Sequence, residues 1–322
     1  MSEDRKRSAS PSDAALERAF EWLTLLNSGH ARSADWTAYQ AWRRTSRDNE
    51  AAAREAESLW DAIPDAYGQA AHAPSPAGRD KSRGWRVPAT GALAAVVAVI
   101  LLLWMPALER LQADYATDVS ELRQIELPDT SRLVLDGATA VNTTFTGDTR
   151  RLRLLDGRFY TQVAPDADRP FTVDAGGLRM TALGTAFTVT RAGDRTSLVV
   201  EEHAVRVVLQ DHPGTTARTV HRGEKLVYTS GKSMRVTQAD LANVAAWRER
   251  LLVFRSKPLS AVISDLRRHI SERIWVLDPA LAELRVTGLI DLTHPDRAVR
   301  RLEQLLPVRA YRLPGLVILR SR

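Results

Sequence analysis

Apolar residues recur every three or four positions over the first sixty residues, then form one unbroken run, and then alternate with polar ones. Leu16, Ala19, Phe20, Leu23 and Leu26 share one face at helical spacing. Ser10-Pro11-Ser12-Asp13 reads as the start of that helix, with Ser10 as N-cap, proline at N1 and a carboxylate at N3, and Gly29 fits its stop. A second helix is expected after Ser33, carrying Trp36, Tyr39 and Trp42. A third is expected after Ser46, carrying Ala52, Ala56, Leu59, Trp60 and Ile63 and ending at Pro64. The pattern predicts a small all-α unit over residues 1–63, followed by a linker over 64–86 rich in Pro, Gly, Ala and Ser.

Alternation takes over from about residue 118 to 230. Runs such as RLVL, RLRLL, RFYTQV, TAFTVT and VRVVL are separated by turn-forming PDT, DG, AGG and AGD. They predict an all-β domain of roughly ten strands over 109–238, with a sandwich and a short solenoid both open. Residues 239–322 read as strand–helix–strand twice over, a small α+β domain. Its helices start at Pro258 and Pro295, and Leu316-Val317-Ile318-Leu319 form a closing apolar strand. That strand would be a hazard at a bare sheet edge, so it lies either mid-sheet or under a partner.

The unbroken run is Val87–Leu108, 22 residues without a charge. As a helix it is long enough for the ~30 Å hydrocarbon core, and it is expected to be a single transmembrane helix. Arg79, Lys81, Arg83 and Arg86 precede it, and mostly acidic residues follow it. The positive-inside rule then places the N-terminus in the cytoplasm and the C-terminus across an inner membrane, in the periplasm.

Charge and cysteine narrow the function. Residues 1–86 hold 13 acidic and 13 basic side chains, so the net charge of +6 lies entirely beyond the run. No basic run has interleaved aromatics, and no direct nucleic-acid contact is expected. The chain has no cysteine, which excludes disulfides, thiolate metal sites and cysteine nucleophiles. No phosphate-binding loop, dinucleotide fingerprint or zinc-protease motif occurs. His203, His212 and His221 fall on neighbouring strand-like runs without a ligand pattern, and Asp265 and His269 read as a solvated pair on a helix. No enzyme activity, cofactor or metal is expected. The one chemical candidate is Gly184-Thr185, between two strand-like runs. A glycine there has a structural use at a bulge. A strained Gly–Thr peptide would instead let the threonine hydroxyl attack the preceding carbonyl and cut the chain.

Four tryptophans, Trp22, Trp36, Trp42 and Trp60, fall in the first 60 residues. They serve either as core filling or as anchors for a partner, and a unit so small buries little by itself.

In this order of parts the chain resembles the FecR family of transmembrane anti-sigma regulators. The helical unit does so in WLTLLNSG, DWTAYQAWR and AESLW; the β domain in LPDTSRLVL, RLRLLDGRFYTQVAPDADRPFTV, ALGTAFTV and HRGEKL; and the tail in AAWRERLLVF, KPLSAVISDLRRHI and LRVTGLI. Three departures stand out. Asn49–Ala53 replaces a His-x-x-Ala-Trp pattern, Asp129-Thr130-Ser131 an Asp-Gly turn, and Glu202-His203 a Glu-Gly turn. The resemblance implies that residues 1–63 bind an extracytoplasmic-function sigma factor. It implies that the tail meets the N-terminal signalling domain of a TonB-dependent receptor for a siderophore or haem, with Leu316, Val317, Ile318 and Leu319 as candidate contacts. It also implies processing by envelope proteases, and in some members self-cleavage at a Gly-Thr matching Gly184-Thr185. An envelope structural or secretion-assembly protein would share the span and the β-rich part, and is the rival reading.

Overall fold

The structure, a computed structural model, describes residues 11–27, 31–61, 112–210, 217–313 and 315–322. By its contacts the chain divides into two compact units. One joins the N-terminal helices to Ile274–Pro279 and Arg309–Arg322; the other lies within Val87–Arg273 and Ala280–Val308.

In the first unit, helices α1 (Asp13–Leu26), α2 (Ser33–Thr45) and α3 (Arg47–Asp61) match the apolar spacing. The N-cap of α1 is Ser12, two residues after the expected Ser10. The Ser12 side chain accepts from Ala15 N, while its backbone N–H donates to Asp48 at 2.9 Å and its hydroxyl donates to the same carboxylate, tying the start of α1 to α3. Ser46 starts α3 by accepting from Asn49 N at 3.0 Å. Gly29 and Pro64 lie outside the described residues. Ala52 and Ala56 on α3 are fully buried against Leu16, Ala19 and Phe20 of α1, so small side chains let the two helices approach closely. Arg43 of α2 reaches Glu50 at 2.8 Å and Glu57 at 2.7 Å on α3.

The same core takes in strands from the far end of the chain. Strands β15 (Arg273–Val276), β17 (Val308–Leu313) and β18 (Leu316–Ser321) form a sheet in the order β15-β18-β17. Tyr311, Leu316 and Ile318 are buried with Leu16, Phe20 and Ala56 in one cluster. Phe20 and Tyr311 have ring centroids 5.9 Å apart, and Arg320 pairs with Glu55.

The second unit is built on the β domain, whose thirteen strands exceed the expected ten. In chain order these are β1 (Tyr115–Ala116), β2 (Arg123–Glu126), β3 (Arg132–Leu135), β4 (Ala140–Phe145), β5 (Arg150–Gln162), β6 (Phe171–Ala175), β7 (Leu178–Ala182), β8 (Ala186–Ala192), β9 (Arg195–Val200), β10 (Ala204–Leu209), β11 (Arg218–His221), β12 (Glu224–Thr229) and β13 (Arg235–Gln238). They form two layers that share β5. Residues 150–156 of β5 pair with β4 and 150–153 with β6, while residues 159–162 pair with β3 and 157–162 with β8. One layer runs β11-β10-β7-β6-β5-β4-β1, and the other β2-β3-β5-β8-β9-β12-β13. The layers enclose one core, with Leu152, Phe159, Phe171, Phe187, Leu198 and Val207 all fully buried. The partner change falls at Gly157, whose φ is +97° and where a Cβ would lie 2.5 Å from Thr139 Cα, so only glycine fits. The β domain is therefore a two-layered sandwich rather than a solenoid.

After the β domain come α4 (Leu241–Ala245), a 3-10 turn (Ala246–Glu249), β14 (Leu251–Pro258), α5 (Leu259–Leu266), α6 (Pro279–Ala282), β16 (Arg285–Asp291) and α7 (Ala298–Leu305). β14 pairs antiparallel with β16, and α5 packs on both strands through the buried Leu259, Val262, Ile263 and Leu266.

The expected architecture with one membrane-spanning helix is corrected. Among the described residues no helix is long and apolar enough to cross a membrane. The longest is α3, with 15 residues and charges along its length. At 1.5 Å per residue it falls well short of ~30 Å. The expected span at 87–108 lies outside the described residues, and the described fold is a β-rich domain with a short helical N-terminal region and α/β elements after it.

The contact between helices and tail can be trapped covalently. The chain has no native cysteine, so Glu55→Cys with Arg320→Cys gives a clean pair for a short bis-maleimide. An internally cross-linked full-length chain is expected on a denaturing gel. Reaction at both cysteines without an internal link would separate the tail from α3.

Candidate functional site

The helical unit sorts its four tryptophans. Trp22, Trp42 and Trp60 are half-buried and pack on the cores of the unit. Tyr39 lies between two of them, 6.1 Å from the Trp22 ring and stacked on Trp42 at 6.0 Å. Its hydroxyl donates to Glu57 at 2.8 Å, and burial followed by that bond raises its pKa. Trp36 is different. It projects from α2 at 51% exposure, and Leu25 at the end of α1 is 41% exposed. An exposed indole on a well-held helix is a surface suited to a partner protein.

In the tail, Leu316-Val317-Ile318-Leu319 occupy the middle strand of three, and all four are buried. β18 therefore has β15 on one side and β17 on the other.

Gly184-Thr185 sits in the turn from β7 to β8. Gly184 has φ +134°, open to glycine alone, and a Cβ there would lie 3.2 Å from Pro165 Cα. Thr185 is buried, and among the described residues its hydroxyl has no hydrogen-bond partner. Downstream the backbone is pinned: Thr185 O accepts from Val163 N at 3.0 Å, and Ala186 O accepts from Glu201 N and Glu202 N. Upstream, Leu183 stands 56% exposed. An uncommitted hydroxyl next to the preceding carbonyl is the nucleophile an N-to-O acyl shift needs.

No group of residues able to hold a metal occurs among the described residues. His203 and His221 lie at the β10–β11 hairpin, where Arg222 N donates to His203 O, and His212 is outside the described residues.

Residues 113–206, from β1 into β10, match the family model described as FecR protein. Residues 17–59, from α1 to α3, match a domain of unknown function, DUF4880. The chain is thus similar to the FecR family in these two stretches, residues 17–59 and 113–206. Two crystal structures of a candidate anti-sigma factor from Parabacteroides distasonis ATCC 8503, at 1.65 and 2.50 Å, are similar in fold. Their TM-scores are 0.57 and 0.56, at 22% identity, over 65% of this chain and 98% of theirs. No curated protein matches the chain.

The departures from the FecR pattern have local explanations. Asn49 donates to Trp42 O at 3.0 Å, closing the end of α2, and Ala53 is buried against Tyr39 and Leu26. Thr130 and His203, at positions where the pattern has glycine, still take the left-handed conformation, with φ +65° and +54°. Asp129 holds the first of these turns by accepting from Ser131 and from the buried Arg150 at 3.0 Å.

Asp265 and His269 are not the expected solvated pair. The helix ends at Leu266, and both side chains join a buried charged cluster centred on Asp136. Asp136 receives Arg158 at 2.5 Å, Arg268 at 3.4 Å and His269 Nε2 at 3.5 Å. Arg268 also pairs with Asp265 at 2.5 Å, and Asp265 pairs with Lys257. Arg158 lies over the Trp247 ring at 4.6 Å. Burial pulls the His269 imidazole down to about 4, with Asp136 opposing and Arg158 and Arg268 assisting, so it is neutral at neutral pH. Burial would raise Asp265, but Arg268, Lys257 and Arg158 together hold it at about 2. This cluster fastens the end of α5 to the β domain, and Ser120 N adds a bond to Arg268 O at 2.9 Å. Nothing in the spacing of these residues marks them, because Asp136 and Arg158 lie more than a hundred positions before Asp265, Arg268 and His269.

Asp136→Ala would leave Arg158 and Arg268 buried without their shared carboxylate. A loss of about 3–5 kcal/mol is expected, read from chemical denaturation of the full chain. A loss below ~1 kcal/mol, the range of exposed pairs, would contradict a buried, mutually dependent cluster.

Proposed function

We propose that residues 12–61 bind an extracytoplasmic-function sigma factor, and that the chain acts as an anti-sigma regulator. The observation that carries this reading is the pairing of a helical DUF4880 match with a FecR match in one chain, on a helical unit that leaves Trp36 exposed. The likeness of fold to candidate anti-sigma factors is consistent with it. Three half-buried tryptophans brace the helices, and Trp36, with Leu25, supplies apolar area for a sigma-factor helix. Of the four tryptophans, Trp36 is the contact residue in this reading, and Trp22, Trp42 and Trp60 support it.

The reading extends to the source of the signal: the signalling domain of a TonB-dependent receptor acting on residues 239–322. This extension rests on the resemblance of the tail. It requires the tail strands and the helices to part, because β18 contributes to the helical core. A second chemical step is self-cleavage at Gly184-Thr185, favoured by the glycine-only backbone and the uncommitted hydroxyl. The Thr185 hydroxyl adds to the Gly184 carbonyl, and the amide becomes an ester with a free Thr185 amine. Water then hydrolyses the ester to a Gly184 carboxylate and restores the hydroxyl.

Purified full-length chain titrated with each extracytoplasmic-function sigma factor of its host is expected to bind one of them tightly. Trp36→Ala is expected to weaken that complex by about 2 kcal/mol or more, with helicity unchanged by circular dichroism. Trp36→Ala binding as tightly as wild type would remove α2 from the interface, and no binding by any sigma factor would remove the function.

Intact-mass measurement of the chain, expressed without envelope proteases, is expected to show a break after Gly184. Thr185→Ala should abolish the break and Thr185→Ser should keep it. Equal cleavage in wild type and Thr185→Ala would assign the cut to an external protease.

A further inference from the structure

The two outward faces of the β sandwich are unlike each other. One layer is covered: Trp247 lies on Arg158, and Arg248 lies on Tyr160 at 3.8 Å while pairing with Glu201 at 2.9 Å. The other layer, around β4, β5, β6, β7 and β10, has no such cover among the described residues, and it carries arginines.

Strand register puts those arginines in two rows. In one row Arg151 stands beside Thr144 and Thr172, and Arg206 beside Thr181. In the other Arg153 stands between Asn142 and Asp174, with Arg179 beyond. Asp174 is the only carboxylate in the two rows. It is spent on Arg179, which it holds at 2.8 and 3.1 Å, and on Gln210 at 2.6 Å, and it is 3.9 Å from Arg151. The Arg153 and Arg206 side chains make no ion pair or hydrogen bond among the described residues. A groove of about 420 Å³ runs along these rows, lined by Asn142, Thr144, Arg151, Arg153, Asp174 and Gln210.

We propose that this face binds an extended acidic polypeptide segment with carboxylates at alternate positions, supplied by a partner protein. Arg151 and Arg153 are two residues apart on one strand, so they project on the same side about 6.6 Å apart. Alternate side chains of an extended peptide repeat at the same distance, which sets two carboxylates opposite two guanidinium groups, each able to bind in bidentate fashion. The Asn142 and Gln210 amides and the Thr144 hydroxyl line the same groove and can hydrogen-bond a peptide backbone. A bilayer surface fits less well, since none of the large exposed apolar side chains lies on these five strands. A single-stranded nucleic acid would need aromatic platforms, and the two rows contain none. This binding surface belongs to the β domain and stands apart from the sigma-factor reading.

Fluorescence anisotropy of full-length chain with a labelled peptide alternating Glu and Thr tests the proposal. Binding is expected at low ionic strength, weakening as salt rises, and absent for the same peptide with Gln in place of Glu. Arg151→Gln with Arg153→Gln is expected to lower affinity by about tenfold or more, because two charge-assisted contacts are lost. Arg151→Lys with Arg153→Lys should retain part of it, since lysine keeps the charge and loses the fork. Arg195→Gln, on the covered layer, should leave binding unchanged. The proposal is overturned if the peptide does not bind, if the Arg151/Arg153 double variant binds as wild type does, or if phosphatidylglycerol vesicles bind to these arginines and the peptide does not.

Discussion

One strand carries the β domain. The thirteen residues of β5 pair with four neighbours and belong to both layers, so neither layer is complete without it. Two adjustments make this possible. Gly157 lets the strand turn from one set of partners to the other against the Thr139 backbone. Asp136, at the end of β3, then fixes the second half of β5 through Arg158 and reaches on to Arg268 and His269. Apolar burial supplies most of the stability of such a sandwich. The charged cluster adds geometry: it ties the end of α5 to the β domain at one point, through groups that are costly to leave unpaired.

The helical unit faces the opposite problem. Three helices of 13 to 15 residues have too little interior to bury their apolar faces on one another. Its α1–α3 core closes over Tyr311, Leu316 and Ile318 from the last strands of the chain. The last strands of the chain are thus part of the same core as α1 and α3.

The sequence told unequally about these parts. Helix spacing placed α1, α2 and α3 to within a few residues, because each has a clear apolar stripe and a polar start. Alternation placed most strands. The choice between sandwich and solenoid was not legible, since it depends on which strands β5 joins. Asp265 and His269 looked like a solvated pair because local spacing contains no trace of Asp136. Gly184-Thr185 was visible as a dipeptide, but its positive φ and uncommitted hydroxyl are properties of the fold. Among the tryptophans, composition marked all four alike, and only packing separates the exposed Trp36 from its three half-buried neighbours.

In the proposed function a sigma factor is held by the helical unit, with Trp36 outermost. Hydrogen–deuterium exchange on the full chain, with and without the extracytoplasmic-function sigma factors of its host, would show where such a partner sits. Slowed exchange is expected across α2 and the C-terminal end of α1, with β5 and the Asp136 cluster unchanged. Protection confined to the β domain, with α2 exchanging as in the free chain, would contradict it.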